Sequence, residues 1–559
     1  MGNSENPDYY GLVDMGSNGI RFSITSLAPQ TRRILPTIYV DRAAISLYDA
    51  QYPPGTSTRV PISASTITAV IHSILRFKST CTDYGVPPSQ IRLLATEATR
   101  TAPNSSAFRD QIHDETGWTV ELLPKEEEGR IGAYGVASSY SAVHGLVMDL
   151  GGGSTQLTWL TTSSGEIQMS PKGSISMPYG AAALTRELSS ASSHAAYREK
   201  VTADLKSAVA SLAIPPALLH APAGLALYLS GGGFRGWGFV LMAAHAITPY
   251  PIPIINGLHV TTAAFHDTAA VTAAVQLASA DSTPAIFRVS ARRASQVPAV
   301  AFLVSCLADA LPAINHVYFA QGGVREGMHF ASLTPSERAA DPLVVATRDH
   351  APPDVGELVA LLQAAAPGSP LPAAMITAFA QALYAHAALP KDICAGAALR
   401  ATTTGAWAGT HGVSHEERAV LALLLCERHG GMSRISPSEQ EFYGRIVRLA
   451  PEGWAWWCMY VGRVAGVVAS VYPAGVVPRG YPGGAAVRQR RLVVRAAWGY
   501  GKGKSVLGVD FGVEGVAGWD EGFQKAVKGV EKVGKRKNWV GGWTGWKVDV
   551  TVDGEAFEG

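Results

Sequence analysis

The amino-acid sequence predicts an α/β protein of two similar lobes with a cleft between them, followed by a helical domain and a small C-terminal α+β unit. Three observations carry that expectation. An apolar strand running into an aspartate and a glycine turn occurs twice, as Gly11-Leu-Val-Asp14-Met-Gly16-Ser17-Asn18 and as Gly145-Leu-Val-Met-Asp149-Leu-Gly151-Gly152-Gly153. Amphipathic helical stretches alternate with strands around the first copy, and further strand and helix signals follow the second. From residue 340 the pattern changes to Ala- and Leu-rich helical periodicity with Pro and Gly in the loops.

In chain order, each glycine turn is followed by an alternating segment, Arg21-Phe-Ser-Ile-Thr25 or Thr155-Gln-Leu-Thr-Trp159, so each copy reads as a β-hairpin with a glycine-rich tip. Helices over 65–84 and 105–116 and a strand over 91–95 complete a first lobe, 1–140. A third glycine turn, Gly231-Gly232-Gly233, follows an apolar strand and opens a helix-like segment. A fourth, Gly322-Gly323, closes a second lobe, 141–335. In the helical domain, 336–480, the clearest helix starts at Ser414 with Glu417 three residues on, a capping box, and ends at Gly430-Gly431. The run from Tyr472 to Gly484 reads as a linker to a basic β-β-α-β unit within 481–559.

With 559 residues, 47% of them hydrophobic and 16% charged, the chain can bury several cores. A formal charge of +2 argues against attraction of the whole protein to nucleic acid or membrane, so substrate charge must be met locally. The five cysteines are scattered without a C-x-x-C pair, which suggests neither a disulfide framework nor a zinc site. No secretory signal and no apolar stretch of spanning length is visible, and the expectation is a soluble, cytoplasmic protein.

Phosphate oxygens need many N–H donors at close range, and glycine allows the backbone to approach and cradle them. Gly16, Ser17, Asn18 and Arg21 around the first turn, Gly151, Gly152, Gly153 and Ser154 at the second, and Gly231 and Gly232 at the third are therefore candidate phosphate-binding residues. Asp14 and Asp149 each end a strand just before a turn and would face a divalent cation from opposite lobes. Mg2+ suits that arrangement because it prefers oxygen ligands and keeps much of its water.

These residues resemble the Ppx/GppA family, exopolyphosphatases and guanosine pentaphosphate phosphohydrolases of the actin, sugar kinase and heat-shock ATPase superfamily. Asp14-Met-Gly-Ser-Asn18 is similar to the family's first phosphate loop and Val147-Met-Asp149-Leu-Gly-Gly-Gly-Ser-Thr155 to its second. Ala95-Thr-Glu-Ala-Thr-Arg100, with Asn104 following, resembles the segment whose arginine reaches the cleft. Glu126-Glu127-Glu128-Gly-Arg130 resembles the stretch carrying the catalytic base, which the resemblance places at Glu127. The likeness extends through Arg292-Arg293 and Arg325-Glu326-Gly327 and covers about residues 8 to 330. It implies an actin-like (ribonuclease H-like) fold, a polyphosphate or phosphorylated nucleotide as ligand, Mg2+ as cofactor, and hydrolysis of a terminal phosphoanhydride with Arg100 clamping phosphate.

The overall pattern is similar to the fungal retrograde-signalling branch of the family, which implies a regulatory protein partner and leaves a homodimer open. Two departures weigh toward a sensor without turnover. Gln156 stands where the hydrolases carry glutamate, and Gly233 where they commonly carry a small hydroxyl residue.

Other features read more simply as structure. His411, His415 and His429 lack an aspartate with metal-site spacing and read as core or surface histidines. Trp454, Trp456 and Trp457 read as helix-packing core. Lys525, Lys528, Lys532 and Lys535 form the solvated stripe of an amphipathic helix; the alternative is that the nearby Lys535-Arg536-Lys537, Trp539, Trp543 and Trp546 bind an anionic chain or single-stranded nucleic acid.

Overall fold

The computed structural model describes residues 5–53, 58–190, 192–278, 285–477, 491–501, 503–514, 520–541 and 544–557. Most of the expected linker's glycine-rich half, and Trp543, lie outside them. The chain divides into two compact units: residues 1–248, 254–342 and 411–414, and residues 249–253, 343–410 and 415–559.

The first unit contains two sheets of the same design. In one, β1 (Tyr9–Gly16), β2 (Gly19–Ser26) and β3 (Thr37–Ala43) run antiparallel, and β4 (Ile91–Ala95) and β5 (Val120–Leu122) continue the sheet in parallel, in the order β3-β2-β1-β4-β5. In the other, β6 (His144–Leu150), β7 (Thr155–Ser163) and β8 (Glu166–Met169) make the antiparallel half, with β9 (Ile175–Met177) also paired to β7. The parallel half is β10 (Leu225–Ser230) and β12 (Ile314–Phe319), with β11 (Leu258–Thr261) antiparallel at the edge. Three antiparallel strands followed by two parallel ones therefore occur twice, as the duplicated hairpin motif predicts.

Alternation explains why β1 and β2 pair as they do. Val13, Met15, Ile20, Phe22 and Ile24 are all buried and share one core cluster with Val70, Ile74 and Phe77 of the helix Ala64–Asp83. Each such side chain contributes about 1.5–3 kcal/mol on burial. That helix starts where Ser63 accepts a bond from the Thr66 N–H at 3.3 Å. Asn104, in the segment resembling the family's arginine loop, pairs both ways with the Ile62 backbone at 2.9 Å and so fixes the loop rather than a ligand.

Two helices exchange between the sheets. Helix Lys125–Ser138 buries Ala133, Val136 and Ala137 with Val147, Leu160 and Ala226 of the second sheet. Helix Val324–Ser332 sets Val324 and Met328 against Leu12 and Leu94 of the first. They cross through glycine: a Cβ on Gly327 would lie 1.9 Å from the Ile131 carbonyl oxygen, and one on Gly322 would lie 1.8 Å from that of Gly135.

In the second unit, helices Val355–Ala365, Ala373–Ala382, Cys394–Arg400, His415–Arg428, Pro437–Leu449 and Trp454–Val471 form the helical part. The final sheet, β13 (Arg491–Gly501), β14 (Lys504–Glu514), β15 (Lys547–Val552) and β16 (Glu555–Ala556), is covered by helix Glu521–Val533. The expected β-β-α-β order is present, with β14 and β15 parallel. Phe523, Val527, Val530 and Val533 are buried, whereas Lys525, Lys528, Lys532 and Lys535 are exposed. Trp456 and Trp457 are buried. Among the described residues no helix is long and apolar enough to cross a membrane.

Candidate active site

A cleft of about 980 Å³, measured out to open solvent, runs between the two hairpin tips in the first unit. Its walls include Asp14, Gly16, Ser17, Asn18 and Arg21 from the first hairpin, Asp149, Gly151, Gly152, Ser154 and Gln156 from the second, and Gly231, Gly232 and Arg235 beyond β10. The tips approach closely. A Cβ on Gly152 would lie 2.5 Å from the Asn18 side-chain amide.

Each tip is held by what its carbonyls accept. At the first, Ser17 takes bonds from the Tyr48 N–H at 3.0 Å and the Ser46 hydroxyl at 3.2 Å, and Asn18 from Arg42 at 2.9 Å. At the second, the Gly151, Gly152 and Gly153 carbonyls all accept from backbone N–H groups of residues 180–183, entering helix Ala181–Ser190, at 2.9–3.1 Å. The third glycine run is no loop. Gly231 to Gly233 form the first turn of helix Gly231–Ala243, and Gly231 sits at φ +89° against the backbone of Leu150, where a side chain would collide.

Register sets the charges. Asp14 lies opposite Arg21 across β1 and β2, with the guanidinium 3.3 Å from the carboxylate. Asp149 lies opposite Gln156 across β6 and β7, and Gln156 donates to the Ser154 hydroxyl at 3.1 Å. Asp149 is partly buried, and burial pushes its carboxyl above the ordinary aspartate range, opposed by a hydrogen bond from Ser230 and by Arg235 and Arg21, and reinforced by Asp14. Arg235 is partly buried too, and burial, with Arg21 nearby, lowers its guanidinium to about 10.

The three consecutive glutamates separate on the helix surface. Glu127 does not reach the cleft; it turns outward and pairs with Arg130 at 2.7 Å, which holds its carboxyl below the usual range. Glu128, one residue on, lines the cleft with its side chain 14% exposed. Burial raises its carboxyl to about 7 against the opposing pull of Arg100, with Glu97 and Asp149 adding to the rise. Arg100 does not line the cleft itself; its guanidinium is 3.2 Å from Glu128 and also donates to the Leu123 carbonyl. Gly153 likewise faces away from it, where a Cβ would meet the Glu97 carboxylate at 2.6 Å.

Sequence reasoning did not single out Arg235 as a site residue; a cation one helical turn after a glycine run that follows an apolar strand was the available signal. It also gave no weight to Glu97, which faces the second tip.

The three histidines do not assemble. His411 bonds Ser138 at 2.7 Å, His415 is buried against Tyr250 at 2.7 Å, and His429 is beside His386. Among the described residues no group of three or more His, Cys, Asp or Glu is arranged to hold a metal. Two carboxylates, the buried Asp14 and the partly buried Asp149, do line one cleft, and their repulsion adds to the rise on Asp149 that a bound cation would relieve. That pair suits Mg2+, which takes one or two protein carboxylates and completes its shell with water and phosphate.

Comparison with known proteins follows the two units' sequence order. Residues 25–336 match the Ppx/GppA phosphatase family, and residues 341–556 match the RTG2 C-terminal domain. The chain is 39% identical over 482 residues, 83% of its length and 81% of the relative's, to Retrograde regulation protein 2 of Saccharomyces cerevisiae. Among solved structures, the Aquifex aeolicus PPX-GPPA enzyme aligns over 58% of this chain and 99% of its own at 20% identity and TM-score 0.45. An exopolyphosphatase from Cytophaga hutchinsonii aligns over 58% and 99% at 17% identity and TM-score 0.44. On the extent of the family match and of the yeast relative, the chain belongs to the Ppx/GppA phosphatase family.

Proposed function

We propose that the cleft binds a polyphosphate or phosphorylated nucleotide with Mg2+ and hydrolyses its terminal phosphoanhydride, and that the protein acts in retrograde signalling through a regulatory protein partner. The observation that carries the chemistry is the convergence of two glycine tips, two aspartates and the raised carboxyl of Glu128 on one cleft. The signalling role rests on the yeast relative.

In this reading the backbone N–H groups of the tips, with Arg21 and Arg235, bind phosphate oxygens and orient the terminal group. Asp14 and Asp149 would hold Mg2+, which neutralises phosphate charge when bound. Glu128 is the general base, in place of Glu127. A carboxyl near 7 is half ionised at neutral pH and can take a proton from water, the usual tuning for such a group. Arg100 is a positioning residue that holds Glu128 toward the cleft.

Gln156 favours a second reading, in which the protein senses the ligand without turning it over. It occupies the cleft wall beside Asp149, where the family's enzymes, by the motif resemblance, carry glutamate. One experiment decides between the two. Phosphate release is measured from polyphosphate, ATP and guanosine nucleotides with Mg2+, alongside calorimetric binding. Release that is lost in Glu128→Gln while binding persists supports hydrolysis; binding with release at background in wild type and variant alike leaves the sensor; absence of both rejects the cleft as the ligand site.

A further inference from the structure

The second unit carries a pocket that the phosphate chemistry does not use. Trp454 and Trp457, from helix Trp454–Val471, meet Trp498 of β13 and Trp546, just ahead of β15, around an open groove. The rings of Trp457, Trp498 and Trp546 lie 5.8–6.2 Å apart, centroid to centroid, at interplanar angles of 46–77°. Rings at such angles form the corner of a box rather than a stack. Trp498 is 40% exposed, and its indole N–H is already taken by the Pro367 carbonyl at 2.9 Å, which fixes the ring. Glu452 completes the wall, Ser505 adds one hydroxyl, and no lysine or arginine is among the described residues lining the groove.

From this geometry we propose that the groove binds a methylated lysine side chain of a partner protein. Indole faces carry negative quadrupole density and attract a cation held within about 6 Å of the ring centroid; Trp498 and the half-buried Trp454 and Trp546 offer such rings to the groove, while Trp457, 3% exposed, packs behind them. Glu452 gives the corner a net negative charge. The shortage of acceptors decides which cation. A guanidinium brings five N–H donors and an ordinary ammonium three strongly hydrated ones, and one carboxylate with one hydroxyl cannot replace that hydration. A trimethylammonium group has no N–H to satisfy, so its desolvation is mild and its methyl surface packs on the rings. The open side of the groove admits the lysine stem, which makes a side chain on a protein the fitting source rather than a free small molecule.

The test uses the full chain and intrinsic tryptophan fluorescence, checked by calorimetry. Probes are a short Gly/Ser-flanked peptide with trimethyllysine, the same peptide with unmodified lysine, its neutral isostere carrying carbon in place of the ammonium nitrogen, and choline. The trimethyllysine peptide should bind at least tenfold more tightly than the other three. Trp498→Ala should lower that affinity at least tenfold and Glu452→Gln severalfold. Trp498→Phe keeps a ring and should retain part of it, so a folding defect in the alanine variant does not decide the matter. Equal affinity for the neutral isostere would show a merely apolar pocket, equal affinity for choline a small-molecule site, and no binding at millimolar peptide an empty corner; each overturns the proposal.

Discussion

The two hairpins that face each other across the cleft have the same backbone plan and different chemistry. In each, an aspartate sits opposite a residue seven positions later: Asp14 opposite Arg21, and Asp149 opposite Gln156. The first aspartate has its own cation; the second has a neutral amide and a serine hydroxyl and depends on more distant arginines. The tips differ as well. Around the second, hypothetical side chains at Gly180 and Gly231 meet backbone atoms, Gly152 and Gly153 in one case and Leu150 in the other. Gly16 of the first tip has more room, 3.3 Å to the Gly19 carbonyl. A duplicated fold thus carries one tip whose aspartate is neutralised by its own arginine and one whose aspartate's charge is left for a ligand.

The largest effect expected from that difference is on stability. Gly180→Ala would put a methyl 2.4 Å from the Gly152 backbone, and because backbone cannot step aside cheaply the cost should be about 3 kcal/mol, the upper range for overpacking. Gly16→Ala, where a methyl would lie 3.3 Å from the Gly19 carbonyl oxygen, a tight contact but no collision, should cost less, about 1 kcal/mol. Denaturant unfolding of both variants checks the contrast, and equal losses would remove the distinction between the tips.

Next comes the base. Glu128→Gln should lower phosphate release about a hundredfold, the scale for losing a general base, with ligand affinity kept. Glu127→Gln should change neither, because that side chain pairs with Arg130 outside the cleft. Since Glu128 must be ionised to accept a proton, release should climb as pH rises through about 7. Asp149 is one of the charges that holds the proton on Glu128, so the rise should move to lower pH in Asp149→Asn.

How far the sequence led is visible in these residues. The hairpins, the strand Ile91–Ala95 and the helix Ser105–Thr116 follow from local alternation and periodicity, and those patterns are written in neighbouring residues. The choice among Glu126, Glu127 and Glu128 is not local. Successive helical residues are turned about 100° apart, and which one faces the cleft depends on how the helix docks on the second sheet through Ala133, Val136 and Ala137. The glycines at 231–233 read as a turn because glycine is a poor helix former; close approach to β6 overrides that propensity and admits a helix start. The exchange of helices Lys125–Ser138 and Val324–Ser332 joins segments almost two hundred positions apart in the chain, which no window of sequence reveals.

A smaller effect should separate the two aspartates. Asp14→Asn and Asp149→Asn should each weaken Mg2+-dependent binding by about tenfold, since water replaces a lost carboxylate only in part. Their stability profiles should differ. The folded-state carboxyl of Asp149 is raised, so the folded protein binds that proton more tightly than the unfolded chain. Wild type should lose stability as pH rises from the ordinary aspartate value, about 3.9, through the raised one, and Asp149→Asn should flatten that part of the curve. Thermal melts across pH without Mg2+ read the difference directly.

The smallest change makes the second hairpin resemble an active hydrolase. Gln156→Glu adds a carboxylate cross-strand from Asp149, where directly opposed Cβ atoms lie about 4.5–5.5 Å apart. Two consequences oppose each other. A further oxygen anion tightens the hold on a cation and on the attacking water, but it also repels Asp149 and strengthens that group's grip on its proton. The net gain in Mg2+-dependent release should therefore be only about threefold at neutral pH and larger above it, where both carboxylates ionise. Without Mg2+ the repulsion is uncompensated, so the same variant should melt at a lower temperature than wild type and recover when Mg2+ is added. The double variant Gln156→Glu with Glu128→Gln fixes the interpretation. If the gain acts through the cleft's base it disappears there, whereas a gain that survives the loss of Glu128 would place the attacking water elsewhere and return Glu128 to a structural role.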